Sequence, residues 1–254
     1  MSSEDNSDSI KSGTTIAAEL IKAASDDPNI KEAGGGLGKT ALTITKAVNH
    51  ALMPIAAVNF AFDKAKEYFS TKFQGDISEK LKDIPSESLI EPKASIAGPT
   101  LQGLAFSHDE DGLKEMYLNL LAAAMNQKTA AKAHPAFVEI IKQLSANEII
   151  LLGHILKSSL NGIPLVEIRV RDKENTNFTI EARNLIDVHS GNPSQRVEDP
   201  NVCSQIDNWV RLGLVSAGFD KKLAGDESYK WVEERPEYKR INVESRLIMD
   251  AFIK

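Results

Sequence analysis

One cysteine, Cys203, stands in the 254 residues, so no internal disulfide can form and no zinc site of several thiolates is available; this composition suits a reducing compartment. Aromatic residues are only 6%, and basic side chains do not dominate: 30 Lys and Arg against 36 Asp and Glu leave a net charge of −6. A sequence pI near 5.5 argues against a chain built to neutralise phosphates. Uninterrupted apolar runs of membrane-spanning length are also missing. The most apolar stretch, 41–62, holds Lys46, Asn49, His50 and Asn59 and is split by Pro54. Ionisable groups at bilayer depth cost about 2.5–3.5 kcal/mol each, which disfavours a spanning helix. What remains, 42% hydrophobic and 26% charged, is ordinary globular composition for one large domain or two small ones.

The first twelve residues are polar and acidic, unlike a secretory signal, and are expected to form a loose tail. A short amphipathic helix follows from Ser12, with Ile16, Leu20 and Ile21 on one face and a stop at Ser25-Asp-Asp-Pro28. Ala33-Gly-Gly-Gly-Leu-Gly-Lys-Thr40 resembles a phosphate-binding loop, but Ala33 stands where the motif wants glycine and no β-branched strand feeds it. A glycine hinge before a helix is the better reading, and no cofactor is expected. Residues 41–62 read as two bent, buried helices, with insertion into a bilayer as the alternative. From Asp63 the charge becomes mixed, and Phe69, Phe73, Ile77 and Leu81 form one stripe of a solvated helix.

The prolines of Ile84-Pro-Ser-Glu-Ser-Leu-Ile-Glu-Pro92 predict an extended connector, because the residue before proline avoids the α region. Ile96-Ala-Gly-Pro99 places Pro99 at a first helical position, with a short helix over 100–106. Asp109 is the expected cap of the next helix, whose face is Leu113, Met116, Tyr117, Leu120, Leu121 and Ala124. The acids Asp109, Glu110 and Asp111 suit a helix N-terminus better than acid catalysis. Ala133-His-Pro135 opens another helix with Phe137, Ile140, Ile141 and Leu144 on its apolar face, and Ser145-Ala-Asn-Glu148 is a capping box for a third. His134 has two readings, a titrating or metal-binding imidazole and a structural residue that caps the helix Pro135 starts or packs under the connector; without a second ligand at metal spacing the structural role is preferred.

Four strings in this stretch carry a resemblance: Ile84-Pro through Leu89-Ile-Glu-Pro92, Ile96-Ala-Gly-Pro99, Glu115-Met-Tyr-Leu-Asn-Leu-Leu121, and Ala133-His-Pro-Ala-Phe-Val-Glu-Ile-Ile-Lys-Gln-Leu144. From Phe60 onward the chain resembles the bacterial abortive infection alpha family. The resemblance implies defence against bacteriophage by arresting or killing the infected cell. It carries over no catalytic residues. Candidate motif or interaction positions are therefore Ile96, Ala97, Gly98, Pro99, His134, Pro135 and Phe137.

Beyond Ser158 the period changes. Val166, Ile168 and Val170 alternate with Glu167, Arg169 and Arg171 as a strand with one buried face, and Phe178-Thr-Ile180 is a partner for it. Val202, Ile206, Trp209 and Val210 mark a helix closed by Gly213. Leu214-Val215, a turn at Gly225-Asp226 and Tyr229-Lys-Trp-Val232 read as a hairpin, and a last helix from Val243 carries Leu247, Ile248 and Phe252. This order resembles a winged helix. Its recognition helix, 201–212, carries Asp207 and Arg211, and its wing sets Lys221, Lys222 and Lys230 against Asp220, Asp226 and Glu227. With no net positive charge on either surface, protein contact is preferred over DNA.

The expectation is thus a mainly α protein: a tail over 1–12, a helical domain over 13–144 (apolar helices 38–83, connector 84–98, helices 99–144) and a small winged-helix-like α+β domain over 145–254. It is read as a non-enzymatic antiphage protein, cytoplasmic or peripheral at the inner membrane, that contacts a host or phage protein. A homo-oligomer through the apolar N-terminal helices is a further expectation. The alternatives are a DNA-binding regulator and a membrane-perturbing toxin using residues 41–62.

Overall fold

The computed structural model describes residues 48, 59–158, 162–171, 177–187, 199–218, 223, 224, 226–241 and 246–253, the backbone alone at 59–62, 158, 226 and 246–253. The expected tail, the amphipathic helix from Ser12, the glycine-rich segment and almost all of the apolar stretch 41–58 lie outside these residues. So does any oligomer or membrane contact made through them. The chain is mainly helical and divides into two compact units, Met1–Ile149 and Ile150–Lys254.

The first unit holds α1 (Asn59–Thr71), α2 (Phe73–Leu81), α3 (Ala94–Ser107), α4 (Asp111–Met125), α5 (Pro135–Ile141) and the start of α6 (Ala146–Ser158). The single amphipathic helix read from Asp63 is two helices broken at Lys72, although Phe69, Phe73 and Ile77 are buried as its stripe requires. The connector touches the end of α4. It is not extended throughout, since Ser86–Ser88 form a 3-10 turn; beside that turn Ile90 N–H donates to Met125 O at 2.8 Å and Gln127 N–H to Ser88 O at 2.9 Å, so part of its backbone is satisfied by tertiary bonds.

Pro99 does not start a helix. α3 begins five residues earlier, at Ala94, and Pro99 lies inside it. An interior proline loses one backbone bond and costs about 3 kcal/mol. Two features offset this: Gly98 has no Cβ to collide with the proline ring, and the extra turn buries Ile96 and Ala97. Asp109 is not the cap of α4 either. That position is Glu110, which makes no side-chain capping bond, while Asp111 occupies the first turn and pairs with Lys114 at 3.0 Å.

α4 packs against α2, α3 and α5, which explains why it buries more than one face: Leu118, Ala122 and Met125 are buried beside the expected Leu113, Tyr117, Leu120, Leu121 and Ala124. α3 and α4 approach closely at Gly103. A Cβ there would stand 2.4 Å from the Tyr117 ring carbon Cζ. The capping box of α6 is formed reciprocally, with Ser145 N–H donating to Glu148 Oε2 at 2.7 Å and Glu148 N–H to Ser145 Oγ at 3.4 Å.

Burial pushes the Tyr117 phenol up to about 12, with the Glu139 charge adding to it. Burial also drives Tyr68 well above the ordinary phenol range, followed by its hydrogen bond to Asp76. Both stay protonated in the folded chain where an unfolded tyrosine would ionise. Their contribution is complete below the unfolded value near 10 and is lost as pH rises past it. Thermal melts between pH 8 and 12 should show stability falling above pH 10 by about 1.4 kcal/mol per pH unit per buried tyrosine. Tyr117→Phe should shallow that fall; an unchanged slope would remove the assignment.

The second unit is built on an antiparallel sheet in the order β2-β1-β4-β3, from β1 (Ile163–Arg171), β2 (Phe178–Leu185), β3 (Ala217–Gly218) and β4 (Arg246–Ile253). The expected β1–β2 pair exists, with Ile180 opposite Arg169 and Phe178 opposite Arg171. β1 is an interior strand, however, and Leu165, Val166, Glu167 and Ile168 are all buried, so both of its faces are covered. Glu167 enters with a partner, accepting from Arg169 Nε.

α7 (Pro200–Arg211) follows the signals in its sequence. Asp199 caps it by accepting from Asn201 N–H at 2.9 Å, and Val202, Ile206 and Trp209 are its buried stripe. Its end is a Schellman motif: Gly213, at φ +71°, donates to Val210 O at 3.0 Å, and Leu214 N–H to Trp209 O at 2.9 Å.

Two expectations are corrected beyond this point. Tyr229–Val232 is not a hairpin strand but part of a 3-10 helix, Asp226–Glu234, followed by α8 (Pro236–Arg240). The adjacent Trp231 and Val232 are both buried against Val166, Ile168 and Leu185. Neighbours in a strand point to opposite faces, so one strand could not present both to the same sheet. The chain also ends in a strand where a helix is expected. β4 pairs with β1 from Ile163↔Ile253 to Val170↔Arg246, and a run as apolar as 247–253, interrupted only by Asp250, suits an interior strand as well as a buried helix. The wing of the expected winged helix is therefore not built as a hairpin.

Candidate functional site

The candidate positions divide by burial. Ile96 and Ala97 are core residues of α3, and Gly98 and Pro99 are half-buried at its bend, so this string serves the packing of α3. The string at the start of α5 is different: His134, Pro135, Ala136 and Phe137 are all exposed, Phe137 by 45%.

Local chemistry accounts for this arrangement. Pro135 obliges His134 to be extended, at φ −118° and ψ 140°, which is the geometry of an N-cap. His134 Nδ1 accepts the Ala136 N–H at 3.1 Å, so the neutral ring carries its proton on Nε2. The same turn lays His134 edge-on to Phe137, with ring centroids 6.4 Å apart. α5 spends its buried face on Val138 and Ile141, continued by Leu144, and packs on α3 and α4 with it. Phe137, expected on that face, points outward instead. It stands in the first turn, about 100° round the helix from Val138 and at the margin of the face that Val138 and Ile141 bury.

A second group of polar side chains was not signalled by any motif. Tyr68, buried in α1, donates its hydroxyl to Asp76 Oδ2 of α2 at 2.9 Å, and its ring stacks on His108 at 5.0 Å. His108 Nδ1 donates to Ala105 O at 3.1 Å, and Lys80 pairs with Glu115 between α2 and α4. Apart from the local His108–Ala105 bond, these contacts join residues on separate helices, and their spacing in the chain has no period. A phenol held protonated is a hydrogen-bond donor here and not a nucleophile at neutral pH. Among the described residues no three His, Cys, Asp or Glu side chains converge as a metal site requires, and no helix is long and apolar enough to cross a membrane.

The family model described as abortive infection alpha matches residues 65–251. The chain belongs to the abortive infection alpha family. No curated protein and no solved structure matches it significantly. The abortive infection alpha match takes in both compact units, so the sheet and α7 are as much part of the family's extent as the helices. It supports a part in abortive infection. On α7, the expected recognition helix, Asp207 is bound to Arg183 and Arg211 to Asn208.

Proposed function

We propose that this abortive infection alpha protein acts by binding another macromolecule, of the host or the phage, through the exposed start of α5, and that it performs no bond-making chemistry of its own. The observation that carries the reading is Phe137: a large aromatic inside a family-like string, displayed to solvent beside a histidine whose acceptor nitrogen is already spent on capping the helix. Burying a phenylalanine side chain against a partner contributes about 1.5–3 kcal/mol, and interface cores are enriched in such aromatics. The neighbouring Pro135 fixes the presentation, because its ring leaves the first turn of α5 little freedom to rearrange.

Phage plating on cells that express the full chain tests this. Phe137→Asp sits on the surface and should leave the melting temperature nearly unchanged, within about 0.5 kcal/mol of stability. Protection should nevertheless fall at least about tenfold, since truncating a central anchor costs about 2 kcal/mol or more of binding. Full protection by a normally folded Phe137→Asp protein would refute the reading.

A further inference from the structure

A groove of about 820 Å³ opens in the second unit and runs along β2, taking its wall from all seven consecutive residues 180–186. Val202 and Cys203 of α7 face it from one side, and Arg235, Glu237 and Ile241 close it from another. Its shape follows from these walls. Seven strand residues cover about 20 Å at ~3.3 Å each, so the mean cross-section is about 40 Å²; one extended chain fills about 48 Å², from ~4.8 Å of strand spacing and ~10 Å of sheet depth. A groove of this length and width is the size of a single extended segment.

The lining backbone has the chemistry for such a segment. β2 is the edge of the sheet, and among the described residues no strand pairs with its outer side. Its register against β1 is interrupted on both sides of Ile168, and Asn184 adopts a left-handed φ of 53°. Bulges of this kind re-aim side chains beside binding sites. Here Asn184 Nδ2 and Arg183 Nη2 both donate to Asp207 at 2.7 Å, which ties β2 to α7 and sets the spacing of those walls.

Six charged side chains line the groove, the acids Glu181, Asp199 and Glu237 and the bases Arg183, Arg235 and Arg240, so its formal charges cancel. Arg235, only 2% exposed, donates through Nε to Glu237 Oε2 at 3.0 Å, through Nη2 to Glu237 Oε1 and through Nη1 to Ile186 O at 3.2 Å. A guanidinium has five N–H donors, so two remain without a partner among the described residues. Because the pair is neutral as a whole, those two N–H groups suit an uncharged acceptor such as a peptide carbonyl better than a free anion. Ala182, Val202 and Ile241 add apolar side chains to these walls.

We propose that this groove binds an extended, uncharged peptide segment of a partner protein, laid along the outer edge of β2 with an aliphatic side chain against Ala182 and Val202 and a backbone carbonyl on Arg235. This contact is separate from the α5 surface and does not depend on it.

A display library of random seven-residue peptides panned against the full chain supplies the probe, and enriched peptides are then synthesised and measured by fluorescence polarisation. Enrichment of uncharged sequences with alternating aliphatic residues is expected. Their affinity should fall at least about tenfold in Ala182→Trp, which fills the groove. The same loss is expected in the double variant Arg235→Met, Glu237→Leu, which replaces the pair by apolar groups and keeps the fold. Phe137→Asp should bind them unchanged. Absence of enrichment, selection of highly charged peptides, or equal binding by both groove variants would overturn the proposal. So would binding that emerges only when residues 188–198 are replaced by a Gly-Ser linker, which would assign the groove to the chain's own segment. A concentration-dependent dimer abolished by Ala182→Trp, with no peptide bound, would assign it to a second copy and equally refute the proposal.

Discussion

Glu237→Ala is expected to destabilise the fold by about 3–5 kcal/mol, because it leaves the Arg235 guanidinium buried without its counter-charge. Arg235 and Glu237 side chains are 3% and 8% exposed, so water can replace only a small part of the lost carboxylate. Only the Ile186 carbonyl remains as an acceptor for Arg235, and a single neutral oxygen does not offset the desolvation of a cation. In a chain of this size the melting temperature should drop by roughly 6–20 °C, at ~2–4 °C per kcal/mol. Arg235→Met with Glu237→Leu should recover most of the loss, since a buried pair exchanged for apolar groups of similar volume is close to neutral. Differential scanning calorimetry on the two variants checks both statements. A single variant that melts with the wild type would show that Arg235 reaches solvent.

Gly103→Val is the second large effect, about 3 kcal/mol or more. The added Cβ would lie 2.4 Å from Tyr117 Cζ and 2.6 Å from its hydroxyl oxygen, far inside van der Waals contact. Tyr117 is 1% exposed and enclosed by the helices that pack on α4, so its ring has nowhere to turn. α3 and α4 must separate, and the contacts around Leu104 and Leu121 are weakened with them. Pairing the change with Tyr117→Ala should cancel part of the cost. A double-mutant cycle is expected to return a coupling energy above about 1 kcal/mol. Additive effects would mean that the two residues do not limit each other's approach.

These two sites also mark how far the residues could be read without a structure. Gly103 gives no local sign of its role: a glycine in a helical pattern reads only as a weak position, and the ring it admits lies 14 residues away on another helix. Arg235 and Glu237 read as solvated charges, since such residues are almost never fully buried unless paired. Phe137 failed in the opposite sense. Its spacing from Ile140, Ile141 and Leu144 is helical, yet it stands in the first turn at the margin of the buried face and stays exposed. Pro99 was misplaced because the general preference for a first helical position was outweighed by the burial of Ile96 and Ala97 upstream of it.

Many features closed within a few residues were visible in the sequence, although Asp109 is a local signal that the structure does not use. The Ser145–Glu148 capping box, the His134 cap, the glycine ending of α7 and the apolar face of α4 each bring donor, acceptor or period together inside about one or two turns. The strings shared with the abortive infection alpha family belong to the same local level. What the tertiary structure alone decided is where the partner lies at long range. Residues 246–253 take the strand form because β1, some 80 positions earlier, offers eight matched partners, and 229–232 take a 3-10 turn because the sheet demands Trp231 and Val232 together. A mostly apolar run is compatible with either helix or strand on its own, and only the backbone that receives its hydrogen bonds selects between them.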